Sequence, residues 1–120
     1  MNRWLSLRLK SFAYAVRGVG TLLREQTNAQ IHLLASSLVF AAAFALDLSR
    51  VDWQMLVLTV ALVWLAEALN TALEYISDAA VPQFHPLIAK AKDVAAGAVL
   101  ICATFAVCMA VLVFYPYLVT

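Results

Sequence analysis

Three stretches of the chain, 31–48, 53–76 and 94–118, are runs of apolar residues with few interruptions. A fourth, 3–25, alternates apolar and basic positions at helical spacing. In that first segment Leu5, Leu9, Phe12, Val16, Val19 and Leu23 fall on one narrow stripe of a helix. Arg3, Lys10, Arg17 and Arg24 recur every seven residues on the opposite side. An apolar face backed by cations predicts a helix lying at the headgroup boundary of an anionic bilayer. The simplest role for it is an anchor; the alternative is that some of its cations also reach a nucleotide phosphate. The run 31–48 is broken only by His32, Ser36, Ser37 and Asp47 and is just long enough to span. The polar residues between Asp47 and Asp52 turn the chain into 53–76, whose last third contains carboxylates. Residues 77–93 form a mixed polar linker with Pro82 and Pro86, residue types that break or restart helices. No charge follows Asp93, so a third span is expected over 94–118, ending near Tyr115 to Tyr117. The pattern predicts an all-α membrane protein: one surface helix, three transmembrane helices and a single domain over residues 1–120.

Composition reinforces that reading. Hydrophobic residues make up 65% of the chain and charged residues 12%. Soluble domains run at about 45–50% and about 25%. Lipid is the solvent that suits such a chain. The opening residues lack a short apolar block with a cleavage site, so a secretory leader is not expected. Net charge is +1, which argues neither for nor against nucleic acid, and no nucleic-acid partner is expected. The placement of charge says more. Five of the eight Lys and Arg residues precede Gln26, the first turn holds only Arg50, and the 77–93 linker holds Lys90 and Lys92. The positive-inside rule then predicts a cytoplasmic N-terminus and linker and an outward C-terminus in a multi-pass protein. Cys102 and Cys108 are six residues apart in one apolar run, on different helical faces, so they are expected to be unpaired.

The chemistry concentrates in 67–78. Glu67, Asn70, Thr71, Glu74 and Asp78 share one face of a helix, within about 100°. Ionisable groups inside a membrane are expensive and normally face protein or water, so function is the default expectation. Counting ~1.5 Å per residue from Trp53 places Glu67 about 21 Å into a ~30 Å core, with Glu74 near the cytoplasmic interface. A second cluster, Lys90, Lys92 and Asp93, precedes the small residues Ala95, Ala96, Gly97 and Ala98, which favour close helix packing in lipid. Lys92 could balance phosphate charge and Asp93 could hold Mg²⁺ or a ribose hydroxyl; their simpler role is to snorkel and fix topology. The chain has no phosphate loop of the G-x-x-x-x-G-K-[ST] type. It has no H-E-x-x-H or C-x-x-C site either, and the isolated His32 and His85 are expected at interfaces rather than as metal ligands. An enzyme using ATP here must assemble its site from carboxylates, Mg²⁺ and a few cations.

Glu67-x-x-Asn70-Thr71-Ala-x-Glu74, then Asp78, then His85-Pro-x-x-Ala-Lys-x-Lys92-Asp93-Val-Ala-Ala-Gly97 resembles the signature of bacterial diacylglycerol and undecaprenol kinases. The match is dense over residues 64–100, and the plan of three spans behind an amphipathic helix extends it along the chain. The resemblance implies a homotrimeric helical bundle with sites shared between subunits. It implies Glu67 as the general base that takes the proton of the lipid hydroxyl, and Glu74 as a metal-binding carboxylate. Asn70, Lys92 and Asp93 correspond to residues around Mg-ATP, and Arg17 is the surface-helix cation expected to reach the nucleotide. Such a site is physically coherent, because phosphoryl transfer depends on positioning and charge neutralisation, and a carboxylate screened from water is a usable proton acceptor.

One position departs from the family pattern. Many members carry Glu two residues before the Asn of an Asn-Phe-x-Ile-His segment. Here Asn28-Ala-Gln-Ile-His32 supplies the segment, and the aligned position is Gln26, with Glu25 beside it. Either Gln26 offers a neutral oxygen to the metal or Glu25 takes the role through a shift of register. The expected activity is ATP-dependent phosphorylation of a membrane lipid alcohol at the cytoplasmic interface, within lipid metabolism and phospholipid biosynthesis. The linker pattern stands nearer the undecaprenol type, with undecaprenol and diacylglycerol both open as substrates. A small oligomeric proton or ion channel is the competing reading, since intramembrane Glu residues mark ion pathways. It accounts for Glu67 but gives no reason for Lys92 and Asp93 beside Glu74.

Overall fold

The computed structural model describes residues 2–120, which fold as four helices: α1 (Arg3–Glu25), α2 (Thr27–Ala45), α3 (Arg50–Ala80) and α4 (Pro86–Leu118). Each begins or ends for a local reason. Asn2 caps α1 through its side-chain oxygen, which accepts from the Trp4 amide at 3.2 Å. His85 caps α4 in the same way, its Nδ1 accepting from the Leu87 amide at 3.2 Å, with Pro86 as the first helical residue. His85 is therefore part of the helix-restart turn.

The α2–α3 turn uses a Schellman motif. The Leu48 amide bonds the Ala43 carbonyl and the Asp47 amide bonds that of Phe44, both at 3.3 Å. Asp47 has φ 52°, the left-handed conformation that Asp tolerates better than most residues. Leu48 folds back into the core behind it. α3 then starts at a Ser49-x-x-Asp52 cap, in which Ser49 Oγ accepts from the Asp52 amide at 3.1 Å and donates to Asp52 Oδ2 at 2.8 Å. Tyr117, at the far end of α4, closes the arrangement: its hydroxyl donates to Asp52 Oδ2 at 2.6 Å and accepts from the Ser49 amide at 2.9 Å.

Three helices, α2, α3 and α4, are long and apolar enough to cross a membrane. α3 and α4 pack together most extensively, α2 leans on α3, and α1 touches α2. The buried core is small and sits at one end, where Ala43, Leu48, Leu56 and Val113 meet beneath Phe40, Trp53 and Tyr117. Phe40 stacks on Trp53 with ring centres 5.9 Å apart, and Phe44 tilts against it at 4.6 Å. Large apolar side chains such as Phe44, Leu69, Leu100, Phe105 and Leu112 point outward along the long helices, the arrangement lipid accepts.

The helices reach beyond the apolar runs that announce them. α2 starts at Thr27 instead of 31, α3 continues to Ala80, and α4 starts at Pro86, so only residues 81–85 between α3 and α4 are not helical. Backbone hydrogen bonding continues whether side chains meet lipid, headgroup or water; only proline and the caps stop it. Lys90, Lys92 and Asp93 accordingly lie within the first turns of α4.

Candidate functional site

The polar stripe of α3 runs from the interior of the molecule to its edge. Glu67 is 1% exposed, Thr71 4% and Asn70 7%, Glu74 is half-buried and Asp78 is exposed. Helical periodicity stacks them, since i, i+3, i+4 and i+7 share a face. Burial increases toward Glu67 because α2 and α4 converge there on α3.

Three oxygens on this stripe are buried without a hydrogen-bond partner: Glu67 Oε2, Asn70 Oδ1 and Thr71 Oγ1. Buried polar groups are nearly always paired, and each exception costs about 1–3 kcal/mol. Three such atoms lie within little more than one turn of one helix, where a ligand, water or neighbouring chain can bond them. Asn70 faces a cavity of about 290 Å³ whose walls include Asn28 and His32 of α2 and Ala96 and Val99 of α4. Thr71 faces an open groove of about 380 Å³ under α1, lined by Gly18, Leu22, Ala68 and Tyr75.

α2 brings a histidine up to Glu67. His32 Nε2 lies 3.8 Å from Glu67 Oε2, beyond hydrogen-bond reach but within ion-pair range when the imidazole is protonated. Its position is kept by neighbours: the Trp64 ring stands edge-on at 6.4 Å, and Trp64 Nε1 donates to Ser36 Oγ at 3.1 Å. His32 thus sits between helices, against the stripe. Its signal in the sequence was an ionisable side chain inside an apolar run.

The other expected residues gather less tightly. Lys92 Nζ pairs with Asp78 Oδ1 at 2.9 Å, an ion pair across α3 and α4 at the open end of the stripe. Asp93 and Lys90 face outward on the same turns of α4. Arg17 is exposed on α1 with its guanidinium 5.5 Å from the centre of the Tyr14 ring. Glu25 and Gln26, at the junction of α1 and α2, are both tied to Tyr75, a residue the sequence pattern did not single out. Among the described residues no three His, Cys, Asp or Glu side chains come together as a ready metal cage. Cys102 and Cys108 are both free thiols.

Fold and site together define a polytopic membrane protein whose buried polar stripe opens at one end between its helices. The profile of the prokaryotic diacylglycerol kinase family matches residues 13–114, and the chain belongs to that family. It is therefore a lipid kinase. The chain is 37% identical over 109 residues to an undecaprenol kinase of Bacillus subtilis, covering 91% of this chain and 89% of that protein. It is 45% identical over 100 residues to a diacylglycerol kinase of Synechocystis sp., covering 82% of this chain but 57% of that longer protein.

Proposed function

We propose that this protein transfers the terminal phosphate of ATP to the hydroxyl of a membrane lipid alcohol, undecaprenol or diacylglycerol, at the cytoplasmic face of the inner membrane. The observation that carries this reading is the row of buried, unpartnered oxygens on α3 at Glu67, Asn70 and Thr71. Such a row gives a proton acceptor and hydrogen-bonding groups a place out of water, beside an opening that ends in charged residues.

Glu67 acts as the general base. It accepts the proton of the lipid hydroxyl while that oxygen bonds to the γ-phosphorus and the bond to the departing ADP breaks. Asn70 orients the nucleotide from within the stripe. Lys92 exchanges Asp78 for phosphate oxygens, at small cost because an exposed ion pair is worth only about 0–1 kcal/mol. Asp93 and Arg17 bind the nucleotide from α4 and α1. The residues that would hold Mg²⁺ are Glu74, half-buried on the stripe, and Glu25 or Gln26 at the α1–α2 junction. Bound there, the ion would neutralise charge on the phosphates.

The spans lie within 31–48, 53–76 and 94–118, with α1 on the membrane surface and residues 77–93 and the N-terminus in the cytoplasm. The excess of Lys and Arg before Gln26 supports that orientation. A homotrimer is favoured by the outward faces of α2 and α4 and by buried polar atoms that one chain leaves unpaired.

The deciding experiment measures transfer of the terminal phosphate of ATP to undecaprenol and to diacylglycerol in mixed micelles containing purified protein. Phosphorylation of either lipid is the expected result. Ion flux through liposomes with no phosphate transfer to either lipid would replace the kinase reading with the channel.

A further inference from the structure

α1 and α2 are joined by one non-helical residue. Gln26 has an extended backbone, φ −109° and ψ 113°, and its side chain does not cap α2. Its amide closes α1 on the Leu22 carbonyl and its carbonyl accepts from the Gln30 amide, both at 3.1 Å. The Gln30 side chain returns to the carbonyls of Leu23 and Arg24. All of these bonds are local. They finish one helix and start the next, but leave the angle between α1 and the rest of the molecule undetermined.

Apolar packing adds one buried side chain of α1, Leu22, beside a groove between α1 and α3 that is otherwise open. The polar constraint comes from Tyr75. Its hydroxyl donates to Glu25 Oε2 at 2.5 Å and accepts from Gln26 Nε2 at 3.3 Å. Among the described residues, this phenol makes the only side-chain hydrogen bonds between the α1–α2 elbow and α3. It commits one carboxylate oxygen of Glu25 and the amide nitrogen of Gln26, leaving one oxygen of each free. Tyr75 follows Glu74 directly and stands one turn from Thr71, so the grip falls at the open end of the polar stripe.

We propose that Tyr75 is a positioning residue of the phosphotransfer site: it holds Glu25 and Gln26 together, sets the elbow against α3, and so keeps α1 and its cations over the nucleotide. The role rests on the kinase reading given above. Phenylalanine at position 75 keeps the ring and removes only the bridge.

Amide hydrogen exchange on nucleotide-free protein in micelles reads the elbow directly. In Tyr75→Phe, the amides of residues 26–30 should exchange several-fold faster while those along the α3–α4 contact stay unchanged. Glu25→Ala, which removes the same bond from the other side, should reproduce the effect and carries the test if Tyr75→Phe is not recovered in the membrane. In the phosphate-transfer assay, Tyr75→Phe should raise the ATP KM by about three- to tenfold, the loss expected when one strong and one long hydrogen bond are removed together. Its kcat should stay within about twofold. Adding Tyr75→Phe to Glu25→Ala should cost less than Tyr75→Phe costs in the wild type, since both remove the Glu25 bond and only the longer Gln26 bond is left to lose. Unchanged elbow exchange in both single variants overturns the proposal, as does full additivity of their effects on KM. Wild-type protein that transfers no phosphate removes the kinase reading instead, and the exchange measurement still decides whether Tyr75 holds the elbow.

Discussion

At Glu67 a carboxylate is taken almost wholly out of solvent, with the imidazole of His32 3.8 Å away, beyond hydrogen-bond reach. A group placed so badly for stability is a good candidate for chemistry. Positioned general bases contribute about 10²–10⁴-fold to rate. Glu67→Gln, which keeps shape but cannot accept the proton, should lose at least ~100-fold in kcat with little change in Mg-ATP affinity. Near-normal turnover would move the base to Asp78 or Asp93, and failure to assemble would make Glu67 structural. Glu74→Gln should raise the Mg²⁺ requirement and depress turnover, because an amide does not replace a carboxylate beside a dication; an unaltered Mg²⁺ titration rejects that role. Gln26→Glu should tighten metal binding if position 26 faces the ion. Spacing alone exposed the polar stripe, and Glu67, Asn70 and Thr71 are indeed its buried members. The two groups that touch it or flank it from outside were hidden for a physical reason. His32 meets Glu67 across a helix interface, and Tyr75 meets Glu25 from 50 residues away; no local period encodes either contact.

At the scale of elements, the end of the molecule away from the stripe is the one tied by side chains. Tyr117 bridges the cap of α3 to the last turns of α4, over the aromatic cluster of Phe40, Phe44 and Trp53. Tyr117→Phe removes two hydrogen bonds, one of them to a carboxylate, and should destabilise the fold by about 1–3 kcal/mol. Thermal unfolding in micelles should show the drop, with activity at low temperature retained; an unshifted midpoint means the bridge contributes nothing. The three apolar helices were plain in the sequence, because lipid demands long unbroken runs. Their ends were not. Hydropathy marks where side chains leave lipid, whereas helices stop at caps and prolines, so α4 already begins at Pro86, eight residues before the uncharged run. Ser49-x-x-Asp52 spelled one of those starts, and the bond that Tyr117 adds to it comes from 65 residues away.

At the scale of the whole molecule, the chain is open and thin. Its radius of gyration is 18.0 Å and its extents are 55 × 49 × 21 Å, against about 14 Å for the radius of a compact domain of this length. A slab this shape leaves helical faces for lipid or for further copies of itself. Light scattering on detergent-solubilised protein, corrected for bound detergent, should give three chains per particle; a stable monomer with full activity would remove the trimer. A reporter that is active only in the cytoplasm should be silent when fused after Thr120, and a bright signal there would invert the topology. The distribution of tryptophans over this thin slab has a practical use. Trp53 is wedged among phenylalanines at the closed end, Trp4 is solvent- or lipid-facing on α1, and Trp64 stands against His32, three residues from Glu67. With Trp4 and Trp53 replaced by phenylalanine, the last indole becomes the sole emitter. The colour and intensity of its light would then follow a ligand entering the stripe, with no turnover required.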